Sequence, residues 1–154
     1  MRLSLRLVLA AALVSPGAAA AHEYRLGALR ITHPVLRVAS PVSKTGAGYL
    51  AISNSGRVDD RLIAVTTAAA NRSDLHGTIA HGAVMQMRAQ AGGVPVPAGG
   101  RVAFAPGGLH VMFIGLKGDM PAGRMIPVQL LFEKAGRITV QFKVEAIAAA
   151  AHNH

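Results

Sequence analysis

The chain has 154 residues, no cysteine and a formal net charge of +9 at pH 7. The lack of thiols excludes disulfides, thiolate zinc sites, iron–sulfur clusters, blue-copper centres and cysteine nucleophiles. The positive charge favours acidic partners, but the basic residues are scattered singly without interleaved aromatic residues, which argues against nucleic-acid binding.

The first residues have the pattern of a cleavable secretory signal. Arg2 and Arg6 precede an apolar stretch at 7–14, and small alanines at 18–21 resemble a cleavage site. This stretch is too short to span a membrane. We therefore predict that residues 1–21 are removed and that the protein is exported to a bacterial periplasm without stable insertion in the membrane.

Alternating apolar and polar residues predict strands along the rest of the chain. The clearest lies at 137–145, where every second residue from Ile138 to Val144 is apolar. Further strands are predicted, in chain order, at 24–31, 48–53, 61–67, 74–78, 84–88, 101–105, 111–117 and 127–133. Glycine-rich breaks separate them and no convincing amphipathic helix interrupts them. The pattern predicts an all-β sandwich or barrel in one domain at 22–145, followed by a flexible alanine and histidine tail at 146–154.

His110 and Met112 are two positions apart in one predicted strand, so their side chains share a face. If Val111 and Phe113 point into the core, the imidazole and the thioether point outward. A surface methionine beside a histidine is a weak indication of a binding site, because methionine is also a common gap-filler in cores.

His76 and Met87 strengthen that indication. Met87 follows His76 by 11 positions, and the glycine-rich loops that come after it can fold the chain back toward His110. Two neutral imidazoles and two thioethers form a soft, uncharged donor set that suits Cu(I) better than zinc, calcium or iron. We therefore predict that His76, Met87, His110 and Met112 bind Cu(I).

The identity of the middle methionine stays open between Met85 and Met87. Strand parity places Gln86 and Arg88 on an exposed face and turns both methionines inward, and we favour core packing for Met85. His81 is expected in a solvated turn. The terminal histidines offer a second site for oxidised copper or zinc, although flexible termini are the simpler expectation; they are His22, His152 and His154.

These residues and their surroundings resemble the PCuAC-type periplasmic copper(I) chaperones. The segments "GAGYLAISN", "DDRLIAV" and "PGGLHVM" are similar to that family's early strands and ligand loop, and the likeness covers most of residues 22–145. The family's metal motif is a histidine, a methionine about ten residues later and a His-x-Met pair. In this chain 22 residues separate Met87 from His110, about one more than in the family pattern.

The resemblance implies a cupredoxin-like Greek-key β-sandwich that carries one Cu(I) ion and delivers it to an acceptor. That acceptor would be the CuA subunit of cytochrome c oxidase, a thiol-containing transfer partner, or both. Copper storage or scavenging, a metal-free interaction module and a copper-dependent oxidative enzyme using His22 are the alternatives. The seven acidic residues are widely scattered and form no paired-carboxylate or Ser-His-Asp signature, so we predict that the protein is not an enzyme.

Overall fold

The computed structural model describes residues 23–147, and within them every regular element is a β-strand. No helix in this range could cross a lipid bilayer. The strands, in chain order, are β1 (Glu23–Leu26), β2 (Leu29–Val38), β3 (Thr45–Asn54), β4 (Asp60–Thr66), β5 (Ala70–His81), β6 (Val84–Ala89), β7 (Val94–Val96), β8 (Arg101–Phe104), β9 (His110–Leu116), β10 (Met125–Phe132) and β11 (Gly136–Ala146).

The strands form one hydrogen-bonded sheet that folds over on itself. Its order is β6-β5-β9-β3-β2-β11-β10-β4-β7, with β1 added to β2 and β8 added to β3. The pairing of β2 with β11 is parallel and the other pairings are antiparallel. The all-β, cupredoxin-like sandwich expected from the sequence is thereby confirmed.

Alternation along the strands builds the core. In β11, Val140, Phe142 and Val144 are fully buried, as the pattern at 137–145 predicts. Phe142 meets Phe113 of β9 edge to face, with ring centroids 5.8 Å apart, so side chains from strands distant in sequence interlock. β9 is thereby held firmly against the core.

Several predicted boundaries were wrong. The single strand expected at 24–31 is two strands, because Gly27 adopts a left-handed backbone (φ 57°) and turns the chain. β7 was not predicted, since three residues around a central proline carry almost no periodic signal. β11 continues through Ala146, the first residue of the predicted tail, and Ile147 donates a backbone hydrogen bond to Val38. The predicted signal at 1–21, His22, His152 and His154 lie outside the described residues.

Two buried polar side chains brace the end of the sandwich where β3 finishes and β4 begins. The Asn54 amide bonds to three backbone groups, and the Asp60 carboxylate accepts three backbone N–H groups. Burial by itself raises the pKa of Asp60, but the N–H groups of Lys134, Arg61 and Ala135, with the Lys134 charge, outweigh it and hold the pKa below the ordinary value of 3.8. This end of the sandwich is therefore well tied.

Candidate metal centre

His76 and His110 are brought together by strand register. β5 pairs antiparallel with β9 so that His76 lies directly opposite His110, and directly opposite residues point to the same side of a sheet. The two rings meet edge to face, with centroids 5.7 Å apart and planes at 85°. Two histidines separated by more than thirty positions in sequence thus form one imidazole pair.

The His110 ring is oriented by the loop that precedes its strand. Its Nδ1 lies 3.1 Å from the carbonyl oxygen of Gly108, and because a carbonyl only accepts, Nδ1 carries the proton and donates it. The Nε2 lone pair of the neutral ring is left for another partner. The same carbonyl also accepts a hydrogen bond of 3.2 Å from the backbone N–H of Thr78, which ties the glycine loop to β5.

The His76 ring has an unused nitrogen. Its Nδ1 is buried and has no hydrogen-bond partner among residues 23–147. Buried polar atoms in native proteins are nearly always paired, so such an atom calls for a partner. A metal ion beside the imidazole pair would supply one, and the donor chemistry of His76 and His110 therefore fits the ion that the sequence predicts.

Met112 lies on the same outer face as the imidazole pair. Its neighbours Val111 and Phe113 are fully buried, as expected, while Met112 itself is half-buried. Its cross-strand partners are Asp74 on β5 and Ala47 on β3. The thioether is thus held on the outer face of the sheet by strands on both sides, next to His110.

Met87 joins this face from the hairpin of β5 and β6. Ala89 pairs with His76 and Met87 pairs with Thr78, so Met87 lies on the His76 side of the sheet and is the methionine of β6 nearer to His76 along the strand. Met85, two residues further, pairs with Ala80 on the same side but nearer the turn. Register therefore favours Met87 over Met85 as the residue closest to the imidazole pair.

The predicted inward direction of these methionines was wrong. Met85 is 60% exposed and Met87 59% exposed, and all six residues of β6 are exposed. Alternation indicates a buried face only where another layer covers the strand, and β6 is the outermost strand of its sheet, with neither face covered. The core packing expected for Met85 is not found.

Two further polar residues near the cluster, Asp74 and His81, do not add to the donor set. Asp74, opposite Met112, forms an ion pair of 2.8 Å with Arg72, so its carboxylate is already compensated. Within 23–147, histidine, aspartate and glutamate form no group of three arranged to hold a metal ion. His81 ends β5 exposed and pairs with Val84, on the face opposite His76.

The sequence interpretation missed the contribution of Gly108. Its carbonyl fixes the ring of His110, and the turn that presents it depends on Gly107, whose φ of 79° is strained for any other residue. The paired glycines before His110 were visible in the sequence, but only as a break between strands.

The fold and this cluster define the class of protein as a cupredoxin-like β-sandwich with histidine and methionine side chains on one outer face, and the fold is similar to that of solved PCuAC domains. The apo PCuAC domain from PmoF1 superposes with a TM-score of 0.69 and 29% identity, over 82% of this chain and 100% of that domain. The copper-bound PCuAC domain from PmoF2 gives a TM-score of 0.67 and 33% identity, over 82% and 99%.

Sequence comparison gives the family. The profile described as "Putative lipoprotein LpqE-like" matches residues 29–144. The protein named "Putative lipoprotein Lxx21020" from Leifsonia xyli subsp. xyli (strain CTCB07) is 31% identical over 117 residues, which are 73% of this chain and 70% of that protein. The chain belongs to the LpqE-like family and carries a PCuAC domain.

Proposed function

We propose that the protein is an exported copper(I) chaperone that binds one Cu(I) through His76, Met87, His110 and Met112 and releases it by ligand exchange. The observation that carries the proposal is the imidazole pair, in which His110 has a free Nε2 and His76 has an orphaned Nδ1. The copper-bound state of the PmoF2 domain supports copper as the cargo.

The donor set supports Cu(I) over other ions. Thioethers are soft and uncharged, and neutral imidazole is a good partner for them, whereas zinc and calcium favour anionic or oxygen donors. Asp74, the carboxylate directly opposite Met112, is engaged by Arg72. Because all four donors are neutral, the loaded site keeps the +1 charge of the ion. A more basic thiolate or imidazole of an acceptor is attracted to that charge and can displace the donors.

Delivery is favoured over storage because part of the donor set is exposed. Met87 is 59% exposed on an edge strand, so an incoming ligand can reach its side of the ion. We propose a periplasmic location and an acceptor that is the CuA subunit of cytochrome c oxidase or a thiol-containing transfer partner. We further propose that the protein moves copper without catalysing a reaction.

The proposal is tested by anaerobic Cu(I) titration against a chromophoric Cu(I) chelator, with X-ray absorption at the copper edge. One bound ion with both sulfur and nitrogen scatterers is expected. His76→Ala, His110→Ala and Met112→Ala should each weaken binding by about tenfold or more, since loss of a supporting group alone costs 10- to 100-fold. His81→Ala is the matched control, because this histidine lies on the same hairpin but on its opposite face. Binding that is indifferent to His110→Ala and Met112→Ala would refute the assignment.

A further inference from the structure

Met85 has no structural role that explains its position. It is 60% exposed, its cross-strand partner is the small residue Ala80, and no strand lies on the outer side of β6 among residues 23–147. A methionine here contributes little to the core. Leucine or threonine would fit an exposed strand as well, so its sulfur is the feature that needs an explanation.

Met85 and Met87 form a short ladder of thioethers that leads away from the imidazole pair. Ala89, Met87 and Met85 follow one another on the His76 side of β6. Successive same-face residues of a strand are about 6.6–6.8 Å apart. Methionine has three rotatable bonds, so two such side chains can turn toward an ion between them without movement of the backbone.

The position of Met85 gives this ladder a direction. Met87 is two positions from Ala89, the residue that pairs with His76, whereas Met85 is near the turn that joins β5 to β6. His81 cannot extend the path, because it points to the opposite face of the hairpin. The last donor on the copper side before the turn is therefore Met85.

We propose that Met85 is a transient copper ligand that carries the ion outward during transfer. This inference rests on the proposed function of the His76, Met87, His110 and Met112 site. In the transfer step a Cu–S bond to Met85 forms as the Cu–S bond to Met87 breaks, and copper remains Cu(I) throughout, so no electron or proton is exchanged. The ion then lies nearer the turn, where a ligand of the acceptor displaces the remaining donors.

The neighbouring apolar side chains provide the control for this proposal. Ile79 and Val84 are also exposed, at 41% and 57%, and lie on the opposite face of the hairpin from Met85. Val84→Ala trims an exposed apolar side chain on the face away from the proposed copper path, so slowing of both variants would indicate a general effect on the hairpin and not the loss of a ligand. Leucine keeps the apolar surface of Met85 and removes only its sulfur.

The experiment compares wild type, Met85→Leu and Val84→Ala, each loaded with one Cu(I) anaerobically. Stopped-flow mixing with a chromophoric Cu(I) chelator gives the transfer rate, and equilibrium competition gives the affinity. For Met85→Leu we expect an affinity within about twofold of wild type and a transfer rate about tenfold slower, while Val84→Ala transfers at the wild-type rate.

A second readout does not depend on transfer. In protein labelled with ¹³C at the methionine methyl groups, the Met85 signal should shift or broaden at half an equivalent of Cu(I), together with that of Met87. An unmoved Met85 signal, a wild-type rate in Met85→Leu, or equal slowing in both variants would overturn the inference. A wild-type protein that fails to bind Cu(I) would instead refute the proposed function, and the two failures are thereby distinguished.

Discussion

Gly48 in the middle of β3 lets the core close beneath β9, and replacing it with alanine should loosen that strand. A Cβ atom added at Gly48 would lie 2.6 Å from Cε2 of Phe113, 3.1 Å from Cε1 of Phe142 and 3.2 Å from Cβ of Val111. All three side chains are fully buried and the two rings pack against each other, so none has solvent space to enter. Gly48 pairs directly with Val111, the neighbour of His110.

The expected magnitude follows from two opposing effects. Forcing an extra carbon into a well-packed core costs about 1–3 kcal/mol. Replacing glycine in a strand with alanine recovers about 0.5–1 kcal/mol through the lower entropy of the unfolded chain. The 2.6 Å approach to a buried ring calls for the upper part of the packing cost, about 2–3 kcal/mol. We therefore expect Gly48→Ala to lower the free energy of unfolding by about 1–2.5 kcal/mol. It should also weaken Cu(I) binding, because Phe113 and Val111 flank Met112.

Urea denaturation of the metal-free protein, followed by circular dichroism, measures this change. The matched control is Gly92→Ala, since a Cβ at Gly92 meets nothing within 4 Å and its backbone is not left-handed. That variant should be as stable as wild type or slightly more stable. If Gly48→Ala unfolds at the same urea concentration as Gly92→Ala, the packing argument for β9 is refuted.

Two further predictions concern the end of the sandwich where β3 finishes and β4 begins. Asn54→Ala should cost about 2–3 kcal/mol because three backbone groups lose their partner, whereas Ser55→Ala, which removes one exposed bond, should cost under about 0.5 kcal/mol in the same urea assay. Because the pKa of Asp60 is lowered in the folded protein, its carboxylate stabilises the native state at pH values above the ordinary aspartate pKa. That stabilisation is lost as the pH falls through the folded-state pKa. Asp60→Asn should therefore lower the free energy of unfolding at neutral pH and make that free energy fall less steeply in acid. Asp59→Asn is the control. A decrease in acid as steep as in wild type would contradict this account.

Much of the sandwich was predictable from the sequence because a half-covered strand alternates apolar and polar residues. β11 shows this most clearly, with the residues from Val140 to Val144 alternately buried and partly exposed. The same rule failed for β6, since an edge hairpin that no layer covers exposes both faces regardless of pattern. The side chains that look buried by parity, Met85 and Met87, are the exposed ones.

The pairing of His76 with His110 could not be read from local pattern. It depends on the register between β5 and β9, and register is set by the fit of whole strands against the core. The spacing of the motif and its family resemblance pointed to the residues. The carbonyl of Gly108 and the orphaned Nδ1 of His76 became visible only with the chain folded.

The candidate donor set is divided between a rigid part and an accessible part, and this division bears on how the ion would leave. His110 is 7% exposed and Met112 is half-buried, and both belong to β9, which has a strand on each side. Met87 belongs to β6, which has a strand on one side only, and edge elements with exposed hydrogen bonds open at lower free energy than central ones. Ligand exchange should therefore begin at the thioether of Met87, while the donors of β9 hold the ion until an incoming ligand, from Met85 or from an acceptor, has bound. Such an order would keep Cu(I) coordinated throughout the transfer, which an equally rigid or equally exposed set of four donors would not achieve.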